Sequence, residues 1–256
     1  MKWSVMVMGS LFNNEKKPLI CVPITAGTNA NLMTQLSDVI ESEPDMIEWR
    51  ADFFEQLYDT EAVLQVIEKI KRKTGIPLLF TIRSEKEGGE PVALNESEKV
   101  DLLVNICRNT AVDAVDYEVE NDREFVENVR DAAKQNGVKL ILSYHHFSKT
   151  PIDQELLKIG VKMEFFGADV AKIAVMPQSR NDVNRLLNVT MQLDDMLQIP
   201  VITMSMGELG AISRVIGYTY GSRLTFAVGV ESSAPGQIPI TKLRNAIEAV
   251  QAIASV

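Results

Sequence analysis

The feature that most constrains this chain is a repeat of short, β-rich apolar runs separated by amphipathic segments. The runs are "LICVPI" (19–24), "DMIEW" (45–49), "PLLFTI" (77–82), "VDAVDYEV" (112–119), "KLILSY" (139–144), "DVAKIAV" (169–175), "PVITMS" (200–205) and "LTFAVG" (224–229). Continuous apolar runs of this length fit strands buried on both faces, as in parallel sheets. Between them lie helical patterns such as "TEAVLQVIEKIKRKTG", "ESEKVDLLVNICRNT" and "DREFVENVRDAAKQNG". Asn95 stands ahead of one helix with acids in its first turn, and Gly75 and Gly137 punctuate the ends of two others. Strand–helix alternation with short connections builds parallel βαβ units. Eight such units favour an α/β fold of the eight-stranded parallel β/α (TIM) barrel type over an open doubly wound sheet. The weakest unit follows "PVITMS", where only "GAISRVIGYTYG" occupies the helix position. No linker or composition break divides the chain, so the expected organisation is a single domain, 1–256. Within it, residues 1–17 form an N-terminal extension with a short strand or hairpin, and 18–256 form the barrel.

Composition narrows the function. The 256 residues are 46% hydrophobic and 24% charged, an ordinary globular mixture with ample core. A net charge of −9 argues against nucleic-acid or anionic-membrane partners. An anionic ligand would need a local cluster of arginine or lysine. Cys21 and Cys107 lie in apolar or helical surroundings and read as buried free thiols of a reducing compartment. The two histidines, His145 and His146, are adjacent, which leaves few ligands for a zinc or iron site, so no metal is expected. Walker, G-x-G-x-x-G and H-E-x-x-H motifs are absent. The start "MKWSVMVMGSLF" lacks an A-x-A cleavage pattern, and no apolar run is long enough to span a membrane, so a cytoplasmic location is expected.

In a β/α barrel, active sites lie at the C-terminal ends of the strands. There the chain carries Glu48 and Arg50, Arg83 and Glu87, the two histidines, Arg214 shortly after the seventh strand, and Ser233 and Gln237 after the eighth. Strand six carries a single basic residue, Lys172, in "GADVAKIAVMP". A lysine in a strand commonly snorkels from an edge to solvent. In a parallel sheet covered on both faces it has few ways out, and burial disfavours the ammonium. A neutral amine attacks carbonyl carbon, the basis of Schiff-base catalysis. Successive strand residues point to opposite faces, so only one histidine can aim at the mouth and shuttle protons. Glu87 is either a solvated loop charge or a partner that orients that histidine. Arg50, Arg83 and Arg214 are either salt-bridge partners or a clamp for a carboxylate or polyhydroxy ligand. The segments "KEGGEP" and "SSAPGQIP" read as mobile covers or as plain loops.

The motifs "IEWRAD", "FTIRSEKEGGE", "SYHHF", "GADVAKIAVMP", "ITMSMGELGAISR" and "SSAPGQI" together resemble the type I 3-dehydroquinate dehydratase family, from about residue 18 to the end. The resemblance implies an eight-stranded β/α barrel, a homodimer without cofactor, and a lyase acting on the small molecule 3-dehydroquinate. It implies that Lys172 forms the imine, that His145 is the general acid/base and that Glu87 orients it. By the same resemblance Glu48, Arg50, Arg83, Arg214, Ser233 and Gln237 contact substrate, with Arg214 on its carboxylate, and Met204 and Met206 line the pocket. His146 departs from the family, where Asp or Asn is common, and "CVPITAGTNA" differs from the usual loop after strand one. Two other readings stay open at this stage: a Schiff-base aldolase or transaldolase-like barrel, and a non-catalytic carboxylate-binding barrel.

Overall fold

The structure, a computed structural model, describes residue 12, residues 17–229 and residues 233–254. All eight expected strands are present: β1 (Leu19–Ile24), β2 (Met46–Arg50), β3 (Leu78–Thr81), β4 (Ala114–Glu118), β5 (Lys139–His146), β6 (Val170–Val175), β7 (Val201–Ser205) and β8 (Leu224–Val228). A ninth, β9, is the two-residue segment Ile238–Pro239, which the sequence pattern did not suggest. Every pairing is parallel, in the order β7-β6-β5-β4-β3-β2-β1-β8-β9. The expectation of an eight-stranded barrel is met in its parallel α/β sheet, but β7 and β8 share no ladder. One bridge, Val201 to Ser222, links the two sides, with Arg223 N–H donating to the Val201 carbonyl at 2.8 Å. The strand or hairpin expected within residues 1–17 lies outside the described residues, save that Phe12 is buried against the inner core.

The helices are α1 (Asn29–Glu41), α2 (Thr60–Lys73), α3 (Glu96–Asn109), α4 (Arg123–Gln135), α5 (Asp153–Phe165), α6 (Arg180–Met196), α7 (Gly207–Gly210), α8 (Ile212–Ile216) and α9 (Ile240–Ala254). Asn95 and Glu98 form a reciprocal capping box that starts α3, as do Ser179 and Asp182 at α6. The weak unit after β7 is two short pieces, α7 and α8, rather than one helix. Among the described residues no helix is long and apolar enough to cross a membrane.

Alternation along the strands sorts side chains into two cores. Ile20, Ile47, Phe80, Val115, Leu142, Ile173 and Val201 belong to the large cluster that includes the helices' apolar residues. Their neighbours Cys21, Met46, Leu79, Ala114, Ile141, Val170, Ile202 and Leu224 form a separate, inner apolar cluster. Two residues further along the same face come Glu48, Thr81, Asp116, Ser143, Lys172, Met204 and Phe226. From β2 to β6 the inner face therefore changes from apolar to polar, with three charges, within one strand repeat, while β7 and β8 stay apolar.

One device recurs at the starts of the strands. Asp45, just before β2, accepts from the β1 amide of Ile20 at 2.8 Å. Asp113, before β4, accepts from Leu78 at 2.7 Å, and Asp169, before β6, accepts from Leu140 at 2.9 Å. Each aspartate's own N–H donates back to the same residue's carbonyl. Lys71 and Lys139 pair with the second and third of these carboxylates. Hydrogen bonds to a charged group contribute about 1.5–3 kcal/mol each. Asp113→Ala should therefore lower the unfolding free energy by about 1.5–3 kcal/mol in urea titration. Lys71→Met, which removes only the half-exposed ion pair, should cost less; equal losses would refute the capping account.

Candidate active site

All eleven residues singled out from the sequence line one cavity at the C-terminal ends of the strands: Glu48, Arg50, Arg83, Glu87, His145, Lys172, Met204, Met206, Arg214, Ser233 and Gln237. It encloses about 470 Å³ of empty space, part of it open to solvent. Gly88, Phe147, Ala174, Phe226 and Ala234 complete the lining. The second histidine does not: the His146 Nδ1 faces the backbone N–H groups of Ser148 and Lys149, both at 3.3 Å. β5 runs two residues further than its apolar run suggested, through both histidines, and strand alternation turns only His145 inward.

Lys172 is 4% exposed. Its surroundings are not the wholly apolar ones that the sequence suggested. Its Nζ donates to Asp116 Oδ2 at 2.9 Å, lies 3.7 Å from Glu48 Oε1, and sits 4.6 Å over the Phe226 ring. Burial alone would push the Asp116 carboxyl up, but Arg83 and then Lys172 hold it well below the usual carboxylate range.

The three arginines divide by partner. Arg50 is spent on Asp52, donating from Nε at 2.8 Å and Nη2 at 2.7 Å. Arg83 donates to Asp116 at 2.7 Å, Glu118 at 3.1 Å and Ser143 at 2.8 Å. Burial works against its cation, but Asp116, Glu118 and Glu87 hold it firmly protonated. Arg214 differs: among the described residues its guanidinium donates to the carbonyls of Phe226 (3.4 Å) and Pro235 (3.1 Å) and to Met204 Sδ (3.8 Å). Among the described residues no carboxylate pairs with it, and its buried Nε has no partner. Burial lowers it to about 10, so it stays a cation at neutral pH. A buried cation without a counter-charge is poised for an anionic ligand.

His145 and Glu87 form a coupled pair. Glu87 Oε2 accepts the His145 backbone N–H at 3.0 Å and lies 2.8 Å from Nδ1. Burial holds the imidazole well below its ordinary value and pushes Glu87 up to about 8. With Nδ1–H facing Glu87, Nε2 is the basic nitrogen. The turn that carries Glu87 closes on Gly88 at φ 83°, where a Cβ would lie 2.2 Å from the Phe147 ring, so only glycine fits. The Ser233 and Gln237 side chains hydrogen-bond each other at 3.1 Å, and the Gly207 N–H ties the same loop down at Pro235.

The sequence reading missed three acids, a serine and a phenylalanine that organise this site. Asp52 anchors Arg50 and accepts the backbone N–H groups of Arg83 and Glu90. Asp116 and Glu118 bind Arg83, Ser143 bridges Asp116 and Arg83, and Phe226 underlies Lys172. The signal was present in "VDAVDYEV", where acids recur inside a buried strand and so require cationic partners. Among the described residues no group of three His, Cys, Asp or Glu side chains could hold a metal ion.

Fold and cavity together define a parallel α/β enzyme with a lysine–histidine centre and an anion-seeking arginine. The model of the type I 3-dehydroquinase family matches residues 20–254. A 3-dehydroquinate dehydratase of Geobacillus sp. (strain WCH70) is 45% identical over 248 residues, 96% of this chain and 95% of the relative. One from Albidiferax ferrireducens is 48% identical over 233 residues, 91% of this chain and 88% of the relative. The crystal structure of 3-dehydroquinate dehydratase from Geobacillus kaustophilus HTA426 superposes with a TM-score of 0.90 at 45% identity, covering 92% of each chain. The type I enzyme of Clostridium difficile, solved with covalently modified comenic acid, gives 0.88 at 36% identity, over 92% of this chain and 93% of that one. The chain belongs to the type I 3-dehydroquinase family.

If the neutral imidazole of His145 serves as proton acceptor, activity should be present above its depressed value and be lost as pH falls through it. The acid limb of kcat/KM, which reports the free enzyme, should therefore lie below 6.5, the ordinary histidine value. A limb at or above that value in a pH–rate profile would contradict the burial argument.

Proposed function

We propose that this protein is a hydro-lyase that converts 3-dehydroquinate to 3-dehydroshikimate and water by syn elimination through a Schiff base on Lys172. The observation that carries the reading is one cavity shared by a buried lysine, a histidine kept neutral by burial, and an arginine with no carboxylate partner among the described residues. Membership of the family and the name borne by its relatives supply the substrate. A relative solved with a covalently modified organic acid agrees with covalent chemistry in such a site.

Arg214 receives the substrate carboxylate, and Glu48, Arg50, Arg83, Ser233 and Gln237 receive its hydroxyls. Met204 and Met206 form apolar walls. The amine nitrogen of Lys172 bonds to the ketone carbon, and the carbinolamine loses its oxygen as water. An ammonium and a ketone give an iminium and water, so charge and protons balance. The iminium draws electrons from the adjacent carbon. His145 takes that carbon's proton, and the electron pair moves into the enamine. The enamine then expels the hydroxyl, which leaves as water with the proton His145 has just taken. Hydrolysis of the product imine frees Lys172. Covalent catalysis divides one high barrier into lower ones, and the acid/base step contributes about 10²–10⁴-fold.

We further propose that the curled sheet works as one closed eight-stranded domain over 18–256, a reading supported by the Val201–Ser222 bridge. By the family resemblance it works as a cytoplasmic homodimer. Exposed Phe165 and Val161 on α5 and Met191 and Met196 on α6 offer apolar surface for a second copy.

Incubation with 3-dehydroquinate and borohydride should add one reduced substrate to the intact mass, mapped to Lys172. No adduct, or one on another lysine, sinks the mechanism; carbon–carbon cleavage of the substrate would indicate an aldolase. Lys172→Ala should abolish turnover. His145→Ala should still trap an adduct while kcat falls by about 10²–10⁴-fold.

A further inference from the structure

Asp116 has a claim on the chemistry that its place in an ion-pair network does not exhaust, and the claim rests on the Schiff-base reading above. Its side chain is held from both ends. Oδ1 accepts from Arg83 Nη2 at 2.7 Å and from the Ser143 hydroxyl at 2.6 Å, while Oδ2 accepts from Lys172 Nζ at 2.9 Å. The residue is 1% exposed, so water does not screen it. Pinned in this way, the carboxylate cannot follow the lysine if the lysine moves, and one oxygen is reserved for the nitrogen.

Charge bookkeeping on that nitrogen then matters. An ammonium condensing with a ketone yields an iminium and water: the C–N bond forms, the C–O bond breaks, and the single positive charge stays on nitrogen. The environment matched to the resting ammonium is therefore matched to the iminium as well. We propose that Asp116 is the counter-ion of the protonated Schiff base, keeping the imine nitrogen charged so that it can act as electron sink. When His145 removes the carbon-bound proton, the electron pair moves into the C–N system and nitrogen becomes neutral. The positive charge has passed to the imidazole, beside Glu87. Asp116 stays ionised throughout and neither gives nor takes a proton.

The competing carboxylate is Glu48 on β2, farther away at 3.7 Å and with the same oxygen already accepting the Thr81 hydroxyl at 2.9 Å. The other charged or titratable groups facing Asp116 are Arg83 beyond β3, Glu118 on β4 and His145 on β5. Arg83 is shared with Glu118, which leaves Asp116 as the anion committed to Lys172.

Two reductants separate this proposal from the reading beneath it. Borohydride reduces the imine whether or not it is protonated; cyanoborohydride reduces only the protonated form. The protein is mixed with 3-dehydroquinate over a pH series, quenched with either reagent, and the Lys172 adduct is quantified by mass. In the wild type, the ratio of cyanoborohydride to borohydride adduct should hold into the alkaline range. In Asp116→Asn, which keeps the size and one acceptor oxygen, the ratio should collapse about one to three pH units lower. Ser143→Ala disturbs the same network but leaves the charge, and should follow the wild type. Glu48→Gln should also keep the wild-type midpoint, and it carries the test if Asp116→Asn does not fold. Identical midpoints for Asp116→Asn and wild type, an equal shift in Ser143→Ala, or the large shift appearing in Glu48→Gln would each overturn the proposal. Failure of borohydride to trap the wild type would overturn the Schiff-base reading instead.

Discussion

A buried ammonium facing a buried carboxylate is the contact on which the rest of this site depends. Lys172 and Asp116 are each nearly inaccessible, and neither charge is tolerable in the interior alone. Removing one member of such a pair typically costs about 3–5 kcal/mol, because the other is left uncompensated. The pair is in turn tied to Arg83, which reaches Glu118, and Glu118 accepts the Ser84 N–H at the start of the turn that delivers Glu87. Glu87 orients His145. A chain of ion pairs and hydrogen bonds thus connects Lys172 to His145 across β3, β4, β5 and β6.

The parallel sheet makes this possible. A strand covered on both faces gives its inward side chains no exit except toward the C-terminal mouth. Apolar residues fill the lower inner layer, and one pleat higher stand Glu48, Asp116 and Lys172, interleaved with the hydroxyls of Thr81 and Ser143. Asp113 and Asp116 lie three residues apart at the two ends of this arrangement. The first seals a strand start with backbone hydrogen bonds, and the second pairs with the buried Lys172.

Much of this was legible in the sequence. The eight strands stand out because their apolar runs are bounded by turn residues, and the site residues because strand ends in such a fold converge. Lys172 was conspicuous as the one cation inside its apolar run. The partners of Lys172 and the arginines were not legible, since Asp116 is 56 residues away along the chain and the pairing emerges only when the strands fold together. The same applies to the division among the arginines. Arg50, Arg83 and Arg214 look alike in sequence, yet two are neutralised by protein carboxylates, whereas among the described residues the third meets carbonyls and a thioether. The two short helices after β7 were hard to read because glycines interrupt "GELGAISRVIGYTYG"; that broken segment is what carries Arg214 inward.

The aspartates that open β2, β4 and β6 divide the chain into segments of two strands each. In the fourth such place stands Arg223, whose guanidinium turns to Asp194 at 2.9 Å. Its N–H still reaches Val201, but an arginine has no acceptor with which to return the bond. The repeating clasp is therefore omitted at one joint, and that is where β7 and β8 meet by a single bridge. The curled sheet has a seam, and it lies beneath the strands that lead to Arg214 and to the Ser233–Gln237 loop. Among the described residues β7 and β8 are joined by one bridge where every other pair of neighbouring strands shares a ladder, so the anion-facing part of the mouth stands on the joint with the least backbone pairing.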